Sequence, residues 1–286
     1  MIKDDLGNRM KSYYEEVSKT KLVRRMPVII RIDGKAFHTF TRGMLKPFDD
    51  ILINTMQSTT KYLCEHIQGC KLGYTQSDEI SLLITDYDTL ETNAWFDYEV
   101  QKMSSIAASM ATMAFNYYFE KYFDKEFGDA ALHEMLGGDV KLKLATKDNI
   151  TPEVTAREKQ YITGFKHIFN ESPNMAVFDA RCFNLPKEEV TNYFYWRQLD
   201  AMRNSVNMVG QFYFSQKQME GKSVLQVKEM LKQLGEDWDN YAVVKQRGSC
   251  VLKQAGRWCI DVDIPIFKED NRKYIDSLLV VQDKKE

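Results

Sequence analysis

The chain contains 286 residues, of which 44% are hydrophobic and 28% are charged. This composition is typical of a globular protein and excludes a disordered, collagenous or low-complexity chain. The net charge is only -2, so any nucleic-acid site is expected to be a local patch of positive charge. No segment approaches the roughly 20 apolar residues of a membrane span. The charged N-terminus also lacks a signal-peptide apolar region, and we therefore expect a cytoplasmic protein.

The chain carries five cysteines, and their spacings match neither a zinc motif nor a dense disulfide framework. Reduced thiols are therefore expected. Because no internal repeat and no linker rich in Pro, Gly or Ser divides the sequence, we expect one compact unit.

In chain order, the first clear element is the β-branched run at residues 28–32, which ends at an Asp-Gly pair. This pattern predicts a buried strand followed by a turn. A helix is predicted after Pro47, with an aspartate as its N-cap and Gly69 beyond its end. Residues 72–84 then read as a hairpin with polar residues at its bend.

A longer core helix is predicted from about residue 95 to 123, with Ile106 and Met113 among its buried side chains. The following stretch, about 124–175, is irregular and reads as an insertion.

Pro186 is expected to open another helix, from about 187 to 214. A shorter helix is predicted at 223–234, and two strands at 249–267. Strands and helices mixed in this order indicate an α+β fold.

Three carboxylates occupy the ends of predicted strands: Asp33 follows the first strand, and Asp78 and Glu79 lie at the hairpin bend. If these strands are neighbours, the carboxylates share one edge of the sheet, and their repulsion calls for a cation. Two Mg²⁺ ions held by carboxylates and substrate phosphates are typical of nucleotidyl transfer. Spacing alone also allows a turn-capping aspartate beside a solvated acidic hairpin.

Four sequence blocks then follow one another in order: RIDGKAFH at 31–38, KP at 46–47, GYTQSDEIS at 73–81 and WRQLD at 196–200. Together they closely resemble the tRNA-His guanylyltransferase family, enzymes that add nucleotides in the 3′-to-5′ direction. The resemblance covers roughly residues 6–116 and 178–210, with looser similarity to about 267.

The resemblance implies a polymerase-palm-like antiparallel sheet packed with helices, within a single catalytic unit spanning residues 1–286. The palm-like core would occupy about 6–123 and 176–215, interrupted by the insertion at about 124–175. A C-terminal helix and strands would occupy 216–286.

The resemblance also implies two Mg²⁺ ions per active site, held by the carboxylates of Asp33 and Asp78 and the backbone carbonyl of Gly34. Glu79 matches a supporting catalytic acid. ATP and GTP would be substrates, tRNA the acceptor, and the assembly a homotetramer.

A further set of residues falls at family positions that handle nucleotide phosphates or the RNA 5′ end. Cations and a hydroxyl among them suit the charge of a triphosphate. Without the resemblance, Arg31 could simply pair with Asp78, and Lys46 could be a solvated loop residue. Lys102 could lie along a core helix, and His38 could be packed. The implied nucleotide-binding residues are Arg31, Lys35, Ala36, Phe37, His38, Lys46, Ser77 and Lys102.

On the helix after Pro186, Arg197, Asp200 and Asn204 recur at steps of three and four and therefore share a face. The resemblance implies that this face lines the tRNA substrate. A solvated face or an ordinary intrahelical ion pair between Arg197 and Asp200 is the alternative reading.

Two local clusters of basic residues are expected to follow RNA phosphates. They comprise Lys19, Lys21, Arg24 and Arg25 in one cluster and Lys245, Arg247, Lys253 and Arg257 in the other.

The sequence departs from the eukaryotic family members just after WRQLD. Those proteins continue with Cys and HINNLYN, whereas this chain has Ala201 and MRNSVNM, keeping Asn204 in register. It thus resembles the guanylyltransferase-like branch, which repairs truncated tRNA 5′ ends using the opposite strand as template. The leading hypothesis is a template-dependent 3′-to-5′ nucleotidyltransferase that acts after ATP-dependent 5′ activation. Alternatives are addition of the extra 5′ G to tRNA-His, a palm-type phosphotransferase without RNA, and a non-catalytic RNA-binding protein.

Overall fold

One antiparallel sheet of six strands organises residues 4–127 and 175–280, the parts of the chain that this computed structural model describes. The strands are β1 (Val28–Gly34), β2 (Cys70–Gln76), β3 (Glu79–Ile84), β4 (Phe178–Asn184), β5 (Ser249–Gln254) and β6 (Arg257–Asp261). Their spatial order is β4-β1-β3-β2-β5-β6.

Helices in the described ranges connect and cover these strands. They are α1 (Asp5–Met10), α2 (Phe37–Phe40), α3 (Asp50–His66), α4 (Val100–Phe127), α5 (Lys187–Tyr213), α6 (Gln216–Met219), α7 (Val224–Gln233), α8 (Val243–Arg247) and α9 (Lys273–Asp276).

The first four strands follow the order β1-α3-β2-β3-α4-β4, the split βαβ arrangement of ferredoxin-like folds. Strand β5 from the C-terminal region pairs with β2, so that Tyr74 lies opposite Cys250. The C-terminal strands therefore extend the same sheet. The predicted α+β fold with an antiparallel sheet is confirmed.

Alternation along β1 directs its side chains to two different faces. Ile30 and Ile32 pack in the cluster formed with α3 and α4, whereas Ile29 packs in the cluster formed with α5. Arg31 and Asp33 share the second face with Ile29. The polar end of β1 thus points to the side of the sheet that α5 covers.

Local signals explain where α3 begins and how β2 turns into β3. The Asp49 carboxylate caps α3 by accepting hydrogen bonds from the backbone N–H groups of Ile51 (2.9 Å) and Leu52 (3.1 Å). Ser77, at the tip of the β2–β3 hairpin, adopts a left-handed backbone with φ 50°. Both elements were predicted.

The predicted start of the long helix at residue 95 is wrong. Phe96, Asp97 and Tyr98 have φ values of 48°, 51° and 56°, which a right-handed helix cannot include, so α4 begins at Val100. The side chains of Ile106 and Met113 are 37% and 54% exposed, so they lie on the outer face and not in the core.

Strand β4 was not predicted. The predicted insertion at 124–175 begins too early, because α4 continues through Phe127; its remainder, 128–174, lies outside the described residues. In the two described ranges, none of the helices combines the length and apolar character needed to cross a bilayer.

Candidate active site

The sheet brings the three predicted carboxylates together at the hairpin end of β1 and β3. Asp33 lies directly opposite Glu79 in the antiparallel register. The backbone N–H of Gly34 donates to the carbonyl oxygen of Asp78 at 3.1 Å, which links β1 to the hairpin turn. Burial raises the pKa of Asp78, and the negative charges of Asp33 and Glu79 raise it further.

Glu79 differs from the other two carboxylates because two arginines neutralise it. Arg197 of α5 holds it through Nε to Oε1 at 2.6 Å and Nη2 to Oε2 at 2.7 Å. Arg31 of β1 approaches Oε2 through Nη2 at 2.9 Å. Glu79 is 4% exposed and Arg197 5%, so each charge needs the other. Arg31 therefore pairs with Glu79 and not with Asp78.

The network continues along α5. Arg197 Nη2 also reaches Asp200 Oδ2 at 2.9 Å, and Asn204 Nδ2 donates to the same oxygen at 3.4 Å. Burial alone would lower the pKa of Arg197, but the bond to Glu79 and the nearby acidic charges raise it overall. The polar stripe predicted on this helix is thus a buried ion network at Arg197 that becomes solvent-exposed at Asn204.

Asp33 and Asp78 lack such compensation. Neither forms a salt bridge with any cation in residues 4–127 and 175–280. Ser77 Oγ donates to Asp78 Oδ1 at 3.1 Å, a contact that orients the carboxylate without neutralising it. Two carboxylates without a counterion, one with a raised pKa, are typical of a site that takes a cation.

The edge strand β4 adds two residues that sequence reasoning missed. Asp179 lies opposite Asp33, and Arg181 lies opposite Arg31. Directly opposed residues of antiparallel strands share a face. The chain segment alternates apolar Phe178, Ala180 and Cys182 with these two charged residues, and this period of two could have identified the strand.

A cavity of about 480 Å³ opens beside the Asp78 turn, between α2, α3, α5 and α8. Apolar side chains and polar or charged side chains both line it, a mixture that suits a small polar ligand. Eight of the predicted site residues contribute to its wall: Gly34, Ala36, Phe37, His38, Lys46, Ser77, Asp78 and Asn204.

The turn from β1 into α2 depends on a glycine. A Cβ at Gly34 would lie 2.2 Å from the ring of Phe37, so the buried ring occupies the space that any side chain would need. The next cavity-lining residue, Ala36, has a left-handed backbone with φ 54°. This tight turn places His38 at the cavity wall, where the residue is exposed to solvent and not packed in the core.

Among the predicted nucleotide-binding residues, Lys35 and Lys102 do not line the cavity, and Arg31 instead binds Glu79. Lys102 is exposed near the start of α4, with its ammonium 5.1 Å from the centre of the Phe96 ring. Ser104, two residues further along α4, contacts Cys182 at 3.3 Å, and Cys182 pairs with Ile30 and not with the Asp33 end of β1. Lys35 is exposed, and its backbone N–H donates to Val177 at 2.8 Å.

Acidic side chains of the same chain already form ion pairs with two residues of the first basic cluster, Lys21 and Arg24. Arg24 pairs with Asp86 at 2.6 Å and with Asp97 at 3.0 Å, and Lys21 also pairs with Asp97. In the second cluster, Lys245 pairs with Asp50 at 3.2 Å. These contacts reduce the positive charge that was expected to be available for RNA.

The carboxylates of Asp33 and Asp78 supply only part of the oxygen shell that Mg²⁺ prefers. The described ranges contain no group of three or more His, Cys, Asp or Glu side chains arranged around a metal position. Mg²⁺ commonly takes one or two carboxylates and completes its shell with phosphate and water oxygens. Asp33 and Asp78 therefore fit an ion that arrives with a nucleotide. All five cysteines are free, which agrees with the expected reduced thiols.

Comparison with known proteins places this arrangement in a family. The family model for tRNA-His guanylyltransferase matches residues 7–186, more than half of the chain. The chain belongs to the tRNA-His guanylyltransferase family.

Solved structures extend the relationship over nearly the whole chain. A bacterial tRNA(His) guanylyltransferase-like protein in complex with ATP is 37% identical, and the match covers 96% of this chain and 99% of that protein, with a TM-score of 0.75. A structure of such a protein in complex with GTP is 35% identical over the same shares, with a TM-score of 0.67. A probable tRNA(His) guanylyltransferase of Dictyostelium discoideum is 23% identical over 77% of this chain and 67% of its own length. As a member of the tRNA-His guanylyltransferase family, the protein is a nucleotide-binding nucleotidyltransferase of tRNA processing.

Proposed function

We propose that this protein is a template-dependent 3′-to-5′ nucleotidyltransferase that repairs the 5′ ends of tRNAs after ATP-dependent activation. The observation that carries the proposal is the pair of uncompensated carboxylates, Asp33 and Asp78, beside a cavity large enough for a nucleotide. A non-catalytic RNA-binding protein would not need two neighbouring carboxylates that repel each other.

Asp33, Asp78 and the carbonyl of Gly34 would hold Mg²⁺. When bound, the ions would neutralise the two carboxylates and supply charge stabilisation for triphosphate oxygens and for the attacking oxygen. Glu79 is not among these ligands, because two arginines already occupy its oxygens. We propose that Glu79 instead positions β3 and the neighbouring Asp78 through Arg197 and Arg31.

The side chains around the cavity would bind and orient the nucleotide. Lys46 and the hydroxyl of Ser77 line the same cavity as Asp78, and both groups suit phosphate oxygens. Phe37, His38 and the apolar residues of the wall would exclude water from the base and sugar. Base pairing with the opposite RNA strand, and not side-chain contacts, would select the incoming nucleotide.

The reaction proposed has two in-line displacements at phosphorus. First, an oxygen of the RNA 5′-monophosphate bonds to the α-phosphorus of ATP, and the bond to pyrophosphate breaks. Second, the 3′-hydroxyl oxygen of an NTP bonds to the RNA 5′ phosphorus, AMP leaves with the electron pair, and the hydroxyl proton passes to water. The product carries a new 5′-triphosphate nucleotide.

The cavity wall favours repair over dedicated addition of G to tRNA-His. Ala201, Asn204 and Met208 line the cavity, and two of these three lie where the chain departs from the eukaryotic sequence. Because these two cavity-lining residues differ from those of the eukaryotic enzymes, we expect the substrate to differ as well. Addition of the extra 5′ G remains the second candidate, which the same assay separates.

The test incubates the protein with Mg²⁺, ATP and labelled NTPs, and with 5′-monophosphorylated tRNAs that lack one or more 5′ nucleotides. We expect templated extension until the 5′ strand is complete, with weaker addition to full-length tRNA-His. Asp33→Asn and Asp78→Asn should each lower the extension rate at least about 100-fold, because losing a metal ligand removes several kcal/mol of charge stabilisation.

The exposed acid Asp270 provides the matched control, and Asp270→Asn should extend RNA at the wild-type rate. No extension of any RNA by the wild-type protein would contradict the proposed function. An activity within about tenfold of wild type in either active-site variant, equivalent to roughly 1.4 kcal/mol, would contradict the roles of the two carboxylates.

We also propose that the assembly is a homotetramer. Besides the family resemblance, the N-terminal segment supports an interface, because none of the residues of α1 is buried and large apolar side chains follow it. Leu6, Tyr13, Tyr14 and Val17 are between 60% and 75% exposed.

A further inference from the structure

Strand β4 carries charged side chains across the same face of the sheet as the candidate active site. Glu79, Asp33 and Asp179 form one row across β3, β1 and β4, because Asp33 is the register partner of both of the other residues. Arg31 and Arg181 form a neighbouring row, two residues away along the strands. An acidic row and a basic row therefore run side by side.

The two arginines of the basic row have different environments. Arg31 has a side chain only 21% exposed and binds the buried Glu79. Arg181 has a side chain 54% exposed and reaches Asp179 Oδ1 through Nη2 at 2.9 Å, and Asp179 is itself 60% exposed. An exposed pair of this kind contributes little to stability, so another anion can displace the aspartate at low cost.

The register places Arg181 two residues along the strands from the row that contains Asp33, and the charges of the candidate catalytic carboxylates act on it. The hydrogen bond from Asp179 raises the pKa of Arg181, and the more distant charges of Asp33 and Glu79 add to the effect. Arg181 thus lies on the edge-strand side of Asp33, whereas Glu79 lies on the other side, on β3.

We propose that Arg181 binds a substrate phosphate beside Asp33, exchanging its bond to Asp179 for bonds to phosphate oxygens. This inference rests on the proposed function, which brings phosphates to Asp33. A guanidinium offers a planar fork of N–H donors that matches two phosphate oxygens. The phosphate could belong to the RNA 5′ end or to the nucleotide triphosphate, which share this chemistry.

The experiment measures equilibrium binding in the presence of Mg²⁺ to three probes. These are a 5′-truncated tRNA with a 5′-monophosphate, the same RNA with a 5′-hydroxyl, and ATP. The proteins compared are wild type, Arg181→Ala, Arg181→Lys and Asp179→Asn. Arg272→Ala serves as the control, because Arg272 also faces an aspartate on the surface, Asp276, but on the C-terminal segment. Circular dichroism and Tm confirm that each variant is folded.

If the phosphate is the RNA 5′ end, Arg181→Ala should abolish the preference for monophosphorylated over hydroxyl RNA, a loss of roughly tenfold or more for a charge-assisted contact. If it is the triphosphate, ATP binding should weaken by a similar factor while the RNA preference persists. Lysine should recover part of either effect. Asp179→Asn should leave binding equal or tighter, because it frees the guanidinium.

Unchanged binding of all three probes by Arg181→Ala, within about twofold, would overturn the inference. Weaker phosphate binding by Asp179→Asn would contradict the proposal that Arg181 exchanges its bond to Asp179 for bonds to phosphate. Because these are binding measurements, they remain decisive if the wild-type protein shows no RNA extension; that result would count against the proposed function alone.

Discussion

Three neighbouring carboxylates in this protein have different chemical environments. Glu79 is buried and held by Arg197 and Arg31, so its charge is matched inside the fold. Removing one partner of such a buried pair typically costs about 3–5 kcal/mol. No cation in the described residues, 4–127 and 175–280, forms a salt bridge with Asp33 or Asp78. A fold that neutralises one acid and leaves its neighbours uncompensated concentrates negative charge where a cation would bind.

The raised pKa of Asp78 predicts how this residue affects stability. Burial and the charge of Asp33 make the folded state hold the Asp78 proton more tightly than the unfolded chain does. Ionised Asp78 therefore destabilises the fold at pH values above its raised pKa, and this penalty disappears as the pH falls through that pKa. At pH 7 without Mg²⁺, Asp78→Asn should raise Tm by roughly 1–4 °C.

Thermal melts from pH 7 to pH 4 measure this effect, and the difference between wild type and Asp78→Asn should shrink toward acid. Mg²⁺ should raise the Tm of the wild type but not that of the variant, since a ligand that binds only the folded state stabilises it. Equal Mg²⁺ stabilisation of both proteins would show that Asp78 does not hold the ion. The surface variant Asp270→Asn supplies the baseline.

At the scale of elements, helix α4 positions the edge strand β4. The Asn116 side chain accepts a hydrogen bond from the backbone N–H of Ala176 and donates one to its carbonyl, both at 2.9 Å. Thr112 Oγ1 accepts from the N–H of Phe178 at 3.2 Å. The centre of the Phe178 ring lies 5.1 Å from that of Phe37, the residue whose ring contacts the Gly34 turn. These contacts set where Asp179 and Arg181 lie.

Asn116→Ala should therefore weaken both stability and catalysis. It removes both hydrogen bonds to Ala176, which we expect to cost about 1–3 kcal/mol in the free energy of unfolding. The start of β4 would also lose its fixed position, which should lower RNA extension several-fold at temperatures where the variant is folded. Urea unfolding and the extension assay measure the two effects.

Asn271→Ala, at an exposed position of the C-terminal segment, is the matched control and should change neither quantity. Normal extension by a destabilised Asn116→Ala would show that the position of β4 does not matter to catalysis.

At the scale of the whole molecule, the sheet is covered on one face by α3 and α4 and on the other by α5. The N-terminal segment instead presents its apolar side chains to solvent. Several large exposed apolar side chains in one short segment are typical of an interface. Light scattering should give a mass near four times 33.4 kDa, and Tyr13→Ser with Val17→Ser should lower it. A monomeric mass for the wild type would contradict the proposed tetramer.

Local patterns in the sequence were sufficient to predict several elements of the fold. The β-branched run of β1, the Asp49 cap of α3 and the hairpin at Asp78 follow from spacing and side-chain chemistry within a few residues. The sequence blocks at those places were also sufficient to predict the family. The juxtaposition of Asp33 with the hairpin followed because adjacent strands bring their ends together.

Only the tertiary structure decided which distant groups share a face. Strand order and register depend on packing between segments far apart in the chain, which local periodicity does not encode. Arg197 was therefore expected to line RNA but is buried against Glu79, and Lys102 lies away from the carboxylates. Asp179 and Arg181 reach the site because β4 returns beside β1. The physical reason is that a charge acquires its partner, and thereby its role, only when folding brings distant segments of the chain together.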